Sequence, residues 1–468
     1  MSSQQAASGN EGPSRRSLLK AGLIGGALAG AGAWRAAPGS PPAAAAQAHL
    51  RAPGSLPYPR LPEGTDTIPQ VEHVVVLMME NHSYDNRLGM LHRPGSDGFR
   101  LGRDGLPVAT NPYPDGSLQH AFRMPTTCQN NAPAQDWLNS HIQYDDGRND
   151  GFVRSGSGPT AMGYWEAADQ PFYYSLASAF PIADRYFCSV LGQTYPNRRY
   201  LISATSIGQV DDTTPALTDY PPNGTIFDRL DANSITWKDY YTDLATTELY
   251  PPLYLKNLGT KVVPIAGFYT DAAAGTLPNF CLVEPDYSTQ SEEDPQNIAV
   301  GEAFAAGVIN AVMAGPAWDR TLLIWTYDEH GGYYDHVPPP RAVPPDSIAP
   351  QVPAGQGTAY DGFARYGFRV PCAVVSPWAR PHYVSHQIYD HTSVLKLVET
   401  KWNLPALTYR DANAGDMLDL LDLRRPAFAA PPPLAKPLLD TDPGALACSV
   451  SGPGVIPPPG SISPPPAA

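Results

Sequence analysis

The sequence predicts an α/β protein with a mainly parallel central sheet, helices on both faces of it and long Pro-rich loops. Three observations predict this. Continuous apolar runs occur at Val71–Met79, Thr321–Tyr327 and Arg369–Ser376, and unbroken Val/Ile/Leu character suits strands covered on both faces. Helical spacing appears between and after them. Asn297 to Met313 has apolar Ile298, Phe304, Val308 and Val312, and Thr392 to Trp402 has Val394, Leu395, Leu397 and Val398. Finally, 53 prolines in 468 residues are more than twice the usual ~5%, which punctuates the chain with loops. A coiled-coil rod is excluded, because charged residues are only 16%. Disorder throughout is excluded by 42% hydrophobic residues and 25 Tyr.

Read in order, the chain opens on an address. Ser14-Arg15-Arg16-Ser17-Leu18-Leu19-Lys20 resembles a twin-arginine export signal, followed by uncharged Ala21–Trp34 and a small-residue cleavage site at Ala46-Gln47-Ala48. Residues 1–48 are read as that signal peptide. The expected partner is the twin-arginine export machinery, and the expected location is secreted or in the cell envelope. Such export carries folded proteins, often with metal installed. Residues 49–66 read as a Pro/Gly linker, 67–425 as the body, and 426–468 as a Pro-rich tail.

Arg15, Arg16, Lys20 and Arg35 against Glu11 give residues 1–48 a net of +3, so −17 remains for the rest of a chain whose total is −14. An acidic body repels nucleic-acid phosphates and anionic lipid, and no nucleic-acid partner is expected. The five cysteines, Cys128, Cys188, Cys281, Cys372 and Cys448, form no CxxC or Cys/His zinc pattern. They read as buried small residues with one or two disulfides.

In a parallel sheet, sites form beyond the carboxyl ends of the strands. The first run ends in Glu80-Asn81-His82-Ser83-Tyr84-Asp85, and the Thr321 run ends in Asp328-Glu329-His330-Gly331-Gly332. Three carboxylates meeting there repel one another unless a cation intervenes. Carboxylate and amide oxygens favour one hard divalent ion, Ca, Mg or Mn, with Zn or Fe also open. The competing reading is helix caps and ordinary salt bridges. A third feature is Gly192-Gln193-Thr194-Tyr195-Pro196-Asn197-Arg198, a turn leading into a helix. Thr194 at a helix N-terminus sits where free amides favour a phosphate, with charge added by Arg198, and beside a metal it becomes a nucleophile. A plain N-cap is the alternative.

Glu72–Asn81, Asp184-Arg185-Tyr186-Phe187, Thr194–Arg198, Thr326–Pro340 and Arg410-Asp411-Ala412-Asn413-Ala414 together resemble the bacterial phosphoesterase family, over almost the whole body. That family holds phosphatidylcholine-type phospholipases C and an acid phosphatase, within the alkaline phosphatase superfamily. The resemblance implies an alkaline-phosphatase-like fold, and Glu80, Asn81, Thr194, Asp328 and Glu329 as metal ligands. It implies Thr194 as a nucleophile forming a phosphothreonine, with Asn197 helping to hold the phosphoryl oxygens beside the charge of Arg198. His330 and His336 would act on the leaving group or phosphate. Thr194-x-Pro196-x-Arg198 also resembles the sulfatase signature, but threonine cannot mature to formylglycine, which favours phosphate esters. Two positions depart from the family: Gln135 and Asp294 stand where histidines are usual. The expected activity is hydrolysis of a phosphate ester, a phospholipid diester or a monoester. The alternative is a catalytically weak envelope protein that binds metal or phosphate esters.

Overall fold

The computed structural model describes residues 50–128 and 132–441, and the signal segment and residues 442–468 lie outside the described residues. An eight-stranded sheet organises the chain. Its strands are β1 (His73–Met79), β2 (Ile182–Ala183), β3 (Trp237–Tyr241), β4 (Val262–Pro264), β5 (Phe280–Val283), β6 (Thr321–Tyr327), β7 (Cys372–Val375) and β8 (Val384–Ser385). They lie side by side as β8-β2-β7-β6-β1-β5-β3-β4. Seven strands run parallel, and β7 alone is reversed, antiparallel to both β6 and β2. The mainly parallel α/β fold is therefore observed. The third apolar run forms the reversed strand and is shorter than the run itself.

β1 and β6 are the central pair, and every residue of both is buried. Side chains alternate between faces along a strand, so complete burial means that both faces are covered. The register pairs Met79 with Tyr327, so Glu80 and Asp328 leave the sheet side by side.

Five helices position the site: α1 (Tyr84–Leu88), α2 (Trp137–Tyr144), α3 (Thr194–Ser203), α4 (Ile298–Ala314) and α5 (His391–Trp402). Most start at side-chain caps. Ser83 Oγ accepts from Asn86 N–H, Asp136 Oδ1 from Asn139 N–H, and Asn297 Oδ1 from Ala299 N–H. α4 packs on β1 and β6, and α5 packs on α3.

Residues 50–66 correct the linker expectation. Gly54 N–H donates to Ala406 O at 2.7 Å, and Ala406 N–H donates to Ser55 O at 3.1 Å. The Asn403 amide donates to the carbonyls of Tyr58, Leu61 and Pro62. Backbone groups satisfied in this way make a strap fixed to the end of α5, because a buried amide holds the chain it bonds. The first part of the expected tail is docked as well. Leu438 N–H donates to the buried Glu302 Oε2 at 3.2 Å. Cys188, Cys281 and Cys372 are free and buried, and Cys128 is disulfide-bonded. Among the described residues no helix is long and apolar enough to cross a membrane.

Candidate active site

The two oxygen-rich strand ends meet. Asp328 N–H donates to Met79 O at 3.1 Å, continuing the ladder by one residue. Asn81 then turns into the left-handed region (φ 66°), which aims its N–H at Asp328 Oδ1 at 3.1 Å. Asparagine tolerates this conformation better than most residues. Beyond Glu329 the chain must pass very close to that turn. A Cβ on Gly331 (φ 65°) would lie 1.8 Å from the Asn81 carbonyl oxygen, and one on Gly332 (φ 76°) 2.4 Å from Ala134 O. The glycine pair is required by both the backbone angle and the close approach.

Glu80, Asn81, Asp328 and Glu329 are each no more than 3% exposed. Burial raises all three carboxyl groups. Glu293 and Asp328 push Glu80 further up, Asp328 pushes Glu329 further up, and Arg198 opposes the shift at Glu80 and Asp328. Among the described residues, Glu80 Oε2, Asn81 Oδ1 and Glu329 Oε1 are buried without a hydrogen-bond partner. Unpartnered buried oxygens of this kind are costly, and a hard cation is the partner they match. The donor set thus fits a divalent ion on chemical grounds.

Another group satisfies a purely geometric criterion. The ligand atoms of Asp85, Asp335 and His336 lie within 4.8 Å of one another, a spacing that could hold a metal. Arg369 already serves that cluster, donating from Nε to Asp335 at 2.9 Å and from Nη2 to Asp85 at 3.1 Å. A guanidinium there neutralises the acids and competes with an ion, so the unpartnered oxygens around Glu80 are the better candidates.

Thr194 is the first residue of α3 and is 6% exposed. Arg198 lies four residues on and shares its helix face. The Arg198 guanidinium donates from Nε to Asp328 Oδ2 at 3.1 Å and from Nη1 to Glu284 Oε2 at 2.8 Å. Its Nη2 reaches Met79 O at 3.3 Å. The face carrying Thr194 is thereby tied to the ends of β1, β5 and β6.

Asn197 and Arg198, expected to bind phosphoryl oxygens, have other work. Asn197 Oδ1 accepts from the N–H groups of Ser189 and Val190, and its amide nitrogen donates to Gly192 O and Gln193 O. Both residues are buried, at 0% and 2% exposure. The helix N-terminus is likewise less open than expected. Asp212 Oδ1 accepts from Tyr195 N–H at 2.8 Å, Pro196 has no N–H, and Asn197 N–H points to Gln193 O.

The two histidines separate. His330 is 0% exposed, packs on Phe368 and Phe152, and sets Nε2 2.7 Å from Gln143 Oε1 and Nδ1 3.1 Å from Glu329 Oε2. Burial lowers its pKa to about 3. His336 belongs to the Arg369 cluster. Burial opposes its charge, but Asp85 at 2.7 Å and Asp97 at 3.3 Å hold its pKa up to about 10. Asp294 accepts a hydrogen bond from Tyr333 Oη, and burial raises its carboxyl well above the ordinary range. A carboxyl held toward its neutral form does not repel a phosphate as an ionised one does.

Four participants escaped the sequence reading. Glu284 follows β5 as Glu80 follows β1, and the shared pattern of an apolar run ending in an acid was a usable signal. His391 donates from Nε2 to the Asp328 carbonyl at 2.6 Å, with a pKa lowered by burial to about 4. Asp212 and Glu293 carry no motif that marks them.

A family model described as Phosphoesterase family matches residues 71–405. Phospholipase C B of Mycobacterium tuberculosis is 30% identical over 79% of this chain and 80% of its own length. Non-specific phospholipase C1 of Arabidopsis thaliana is 33% identical over 74% of this chain and 70% of its own. Among solved structures, a Vibrio parahaemolyticus protein described as in the alkaline phosphatase superfamily aligns with TM-score 0.33 and 11% identity, covering 62% of this chain and 71% of that one. At that score the fold argument rests on the sheet itself. The chain belongs to the phosphoesterase family. It is a hydrolase of phosphoric esters.

Proposed function

We propose that this protein is an exported, metal-dependent phosphoesterase of phospholipase C type that works through a phosphothreonine at Thr194. The observation that carries the reading is the Arg198–Asp328 contact. It makes the helix face bearing Thr194 and the strand ends bearing the oxygen donors one rigid unit.

Glu80, Asn81, Asp328 and Glu329, with Thr194, would hold one divalent ion, Ca, Mg or Mn before Zn or Fe. Such an ion supplies positive charge to the phosphoryl oxygens and eases loss of the threonine proton. Thr194 Oγ1 attacks phosphorus, its bond to phosphorus forms as the ester P–O bond breaks, and the departing alcohol takes up a proton. Water then attacks phosphorus from the opposite side, the Thr194 Oγ1–P bond breaks, and the hydroxyl is restored. Asn197 holds the loop before Thr194 rigid, and Arg198 keeps Asp328 charged and oriented.

The relatives' names support a phospholipid substrate, for which the leaving alcohol is a diacylglycerol. A soluble monoester follows the same steps to free phosphate. Residues 1–48 support twin-arginine export. The test is hydrolysis of p-nitrophenyl phosphate, its phosphocholine ester and phosphatidylcholine vesicles by the mature protein and a Thr194→Val variant. The proposal expects turnover by the first and none by the second. Equal turnover by the two removes Thr194 as nucleophile.

A further inference from the structure

We propose that Arg87 and Glu292, a buried ion pair, are positioning residues for this reaction, holding the loop after β5 so that Ser291 fixes Glu80 at the end of β1. The inference rests on the reading of Glu80 as a metal ligand and extends it to two residues outside the donor set. Arg87 lies on α1, and both side chains are 0% exposed. Glu292 Oε2 accepts from Arg87 Nη2 and from Tyr327 Oη, and Oε1 accepts from Tyr173 Oη at 2.8 Å. Arg87 also donates from Nε and Nη2 to Tyr327 Oη at 3.2 and 3.0 Å. Each contact has a definite donor, guanidinium or phenol, and the Tyr327 oxygen accepts from Arg87 as it donates to Glu292. The guanidinium is walled by aromatic rings, with the centroids of Trp165, Tyr173 and Tyr327 at 5.5, 5.4 and 5.6 Å.

The pair joins the chain segments that carry the oxygen donors. Tyr327 ends β6 and directly precedes Asp328, and Arg87 belongs to the helix that follows Glu80 and Asn81. Glu292 itself sits in the left-handed region, with φ 76°. That conformation is unfavourable for a glutamate and persists only where its surroundings hold it. Room for the inward side chain comes from Gly301 of α4, where a Cβ would lie 2.1 Å from Glu292 Cγ. The register of β1 with β5 ends at Leu77 and Val283, so Glu80 lies beyond that ladder. Its N–H donates instead to Ser291 O at 2.9 Å, one residue before the turned glutamate. The anchored Glu292 thereby sets Ser291, and Ser291 sets the backbone of Glu80, whose Oε2 has no partner among the described residues. Outer-shell orientation of a ligand in this way is worth about 10- to 100-fold in metal affinity.

The test measures Mn²⁺ affinity by calorimetric titration, the thermal midpoint in chelator, and kcat for p-nitrophenyl phosphate at saturating Mn²⁺. The double variant Arg87→Met, Glu292→Met removes both charges and keeps the bulk, an exchange that buried ion pairs often tolerate without loss of stability. Its midpoint is expected to stay near that of the native protein. Its Mn²⁺ Kd should rise by roughly 10-fold or more, and its kcat should fall by roughly 100-fold. Gly301→Ala keeps both charges but takes the space of the Glu292 side chain. It is expected to weaken Mn²⁺ binding in the same direction, and it carries the test where the double variant does not fold. A folded variant with native Kd and native kcat overturns the positioning role, whatever its midpoint, and leaves the metal reading of Glu80 standing. Absence of Mn²⁺ binding by the native protein overturns that reading and the inference with it.

Discussion

Arg198 Nε stands 3.1 Å from Asp328 Oδ2, and this contact joins the helix that begins at Thr194 to the strand that ends at Tyr327. The same guanidinium holds Glu284 at 2.8 Å and lies over the Tyr287 ring at 4.9 Å. A planar fork can serve several partners at once, which a lysine ammonium cannot. Arg198→Lys is therefore expected to fold but to lose roughly 100-fold in kcat, the cost of a small misplacement of reacting groups. Arg198→Met leaves two buried carboxylates unpaired and is expected to cost about 3–5 kcal/mol of stability. Steady-state kinetics and denaturant titration check the pair. A lysine variant with native kcat would separate Arg198 from alignment of the site.

Gly331→Ala tests the close approach of the two strand-end loops. The added methyl meets the Asn81 carbonyl and a positive φ, so about 1–3 kcal/mol of backbone strain adds to a clash. Gly116→Ala is the control. It has a positive φ of 86° but nothing within 4 Å, and is expected to lose only about 1 kcal/mol. Thermal melts of both should show the larger loss at Gly331, together with lost activity there.

His336 gives a pH dependence with a definite sign. Its folded pKa of about 10 lies above the ordinary 6.5, so its stabilising contribution is complete below about pH 6.5 and is lost as pH rises through 10. His336→Gln should be less stable than the native protein by about 2 kcal/mol at pH 6, the usual worth of a charged hydrogen bond. The gap should close above pH 10. A gap that is constant with pH would mean that His336 is neutral in the fold.

Removal of divalent ions should abolish hydrolysis, and Ca²⁺, Mg²⁺ or Mn²⁺ should restore it. The preferred ion should also stabilise the fold, by about 2.7 kcal/mol at a hundred times its Kd. Glu80→Gln should blunt both effects. Stabilisation that survives in Glu80→Gln would place the ion elsewhere, the Asp85–Asp335–His336 cluster being the first alternative.

The central strands and the meeting of their ends were legible because both depend on local pattern. An unbroken apolar run followed by Glu80-Asn81 or Asp328-Glu329 states both burial and edge. The reversal of β7 was not legible, since Arg369–Ser376 has the same apolar character whichever way it runs. The hydrogen bonds of Asn197 and Arg198 were not legible for a related reason. Residue type and helix position announced polar groups near a nucleophile, but only the fold shows that carbonyls, amides and carboxylates already use them. His330 and His336 look equivalent in one motif. Packing makes one a sealed neutral ring, and three carboxylates around Arg369 make the other a cation. The strap at residues 50–66 read as a linker because its prolines and glycines say nothing of the distant Asn403 that binds it.

The most direct measurement is chemical trapping of the intermediate. The mature protein is mixed with p-nitrophenyl phosphate and a divalent ion, quenched in acid within one turnover, digested, and read by mass spectrometry. The account predicts one phosphoryl group on the peptide containing Thr194, and none in Thr194→Val. A fully active enzyme with an unmodified Thr194 peptide, or a phosphoryl group on another residue, would contradict it.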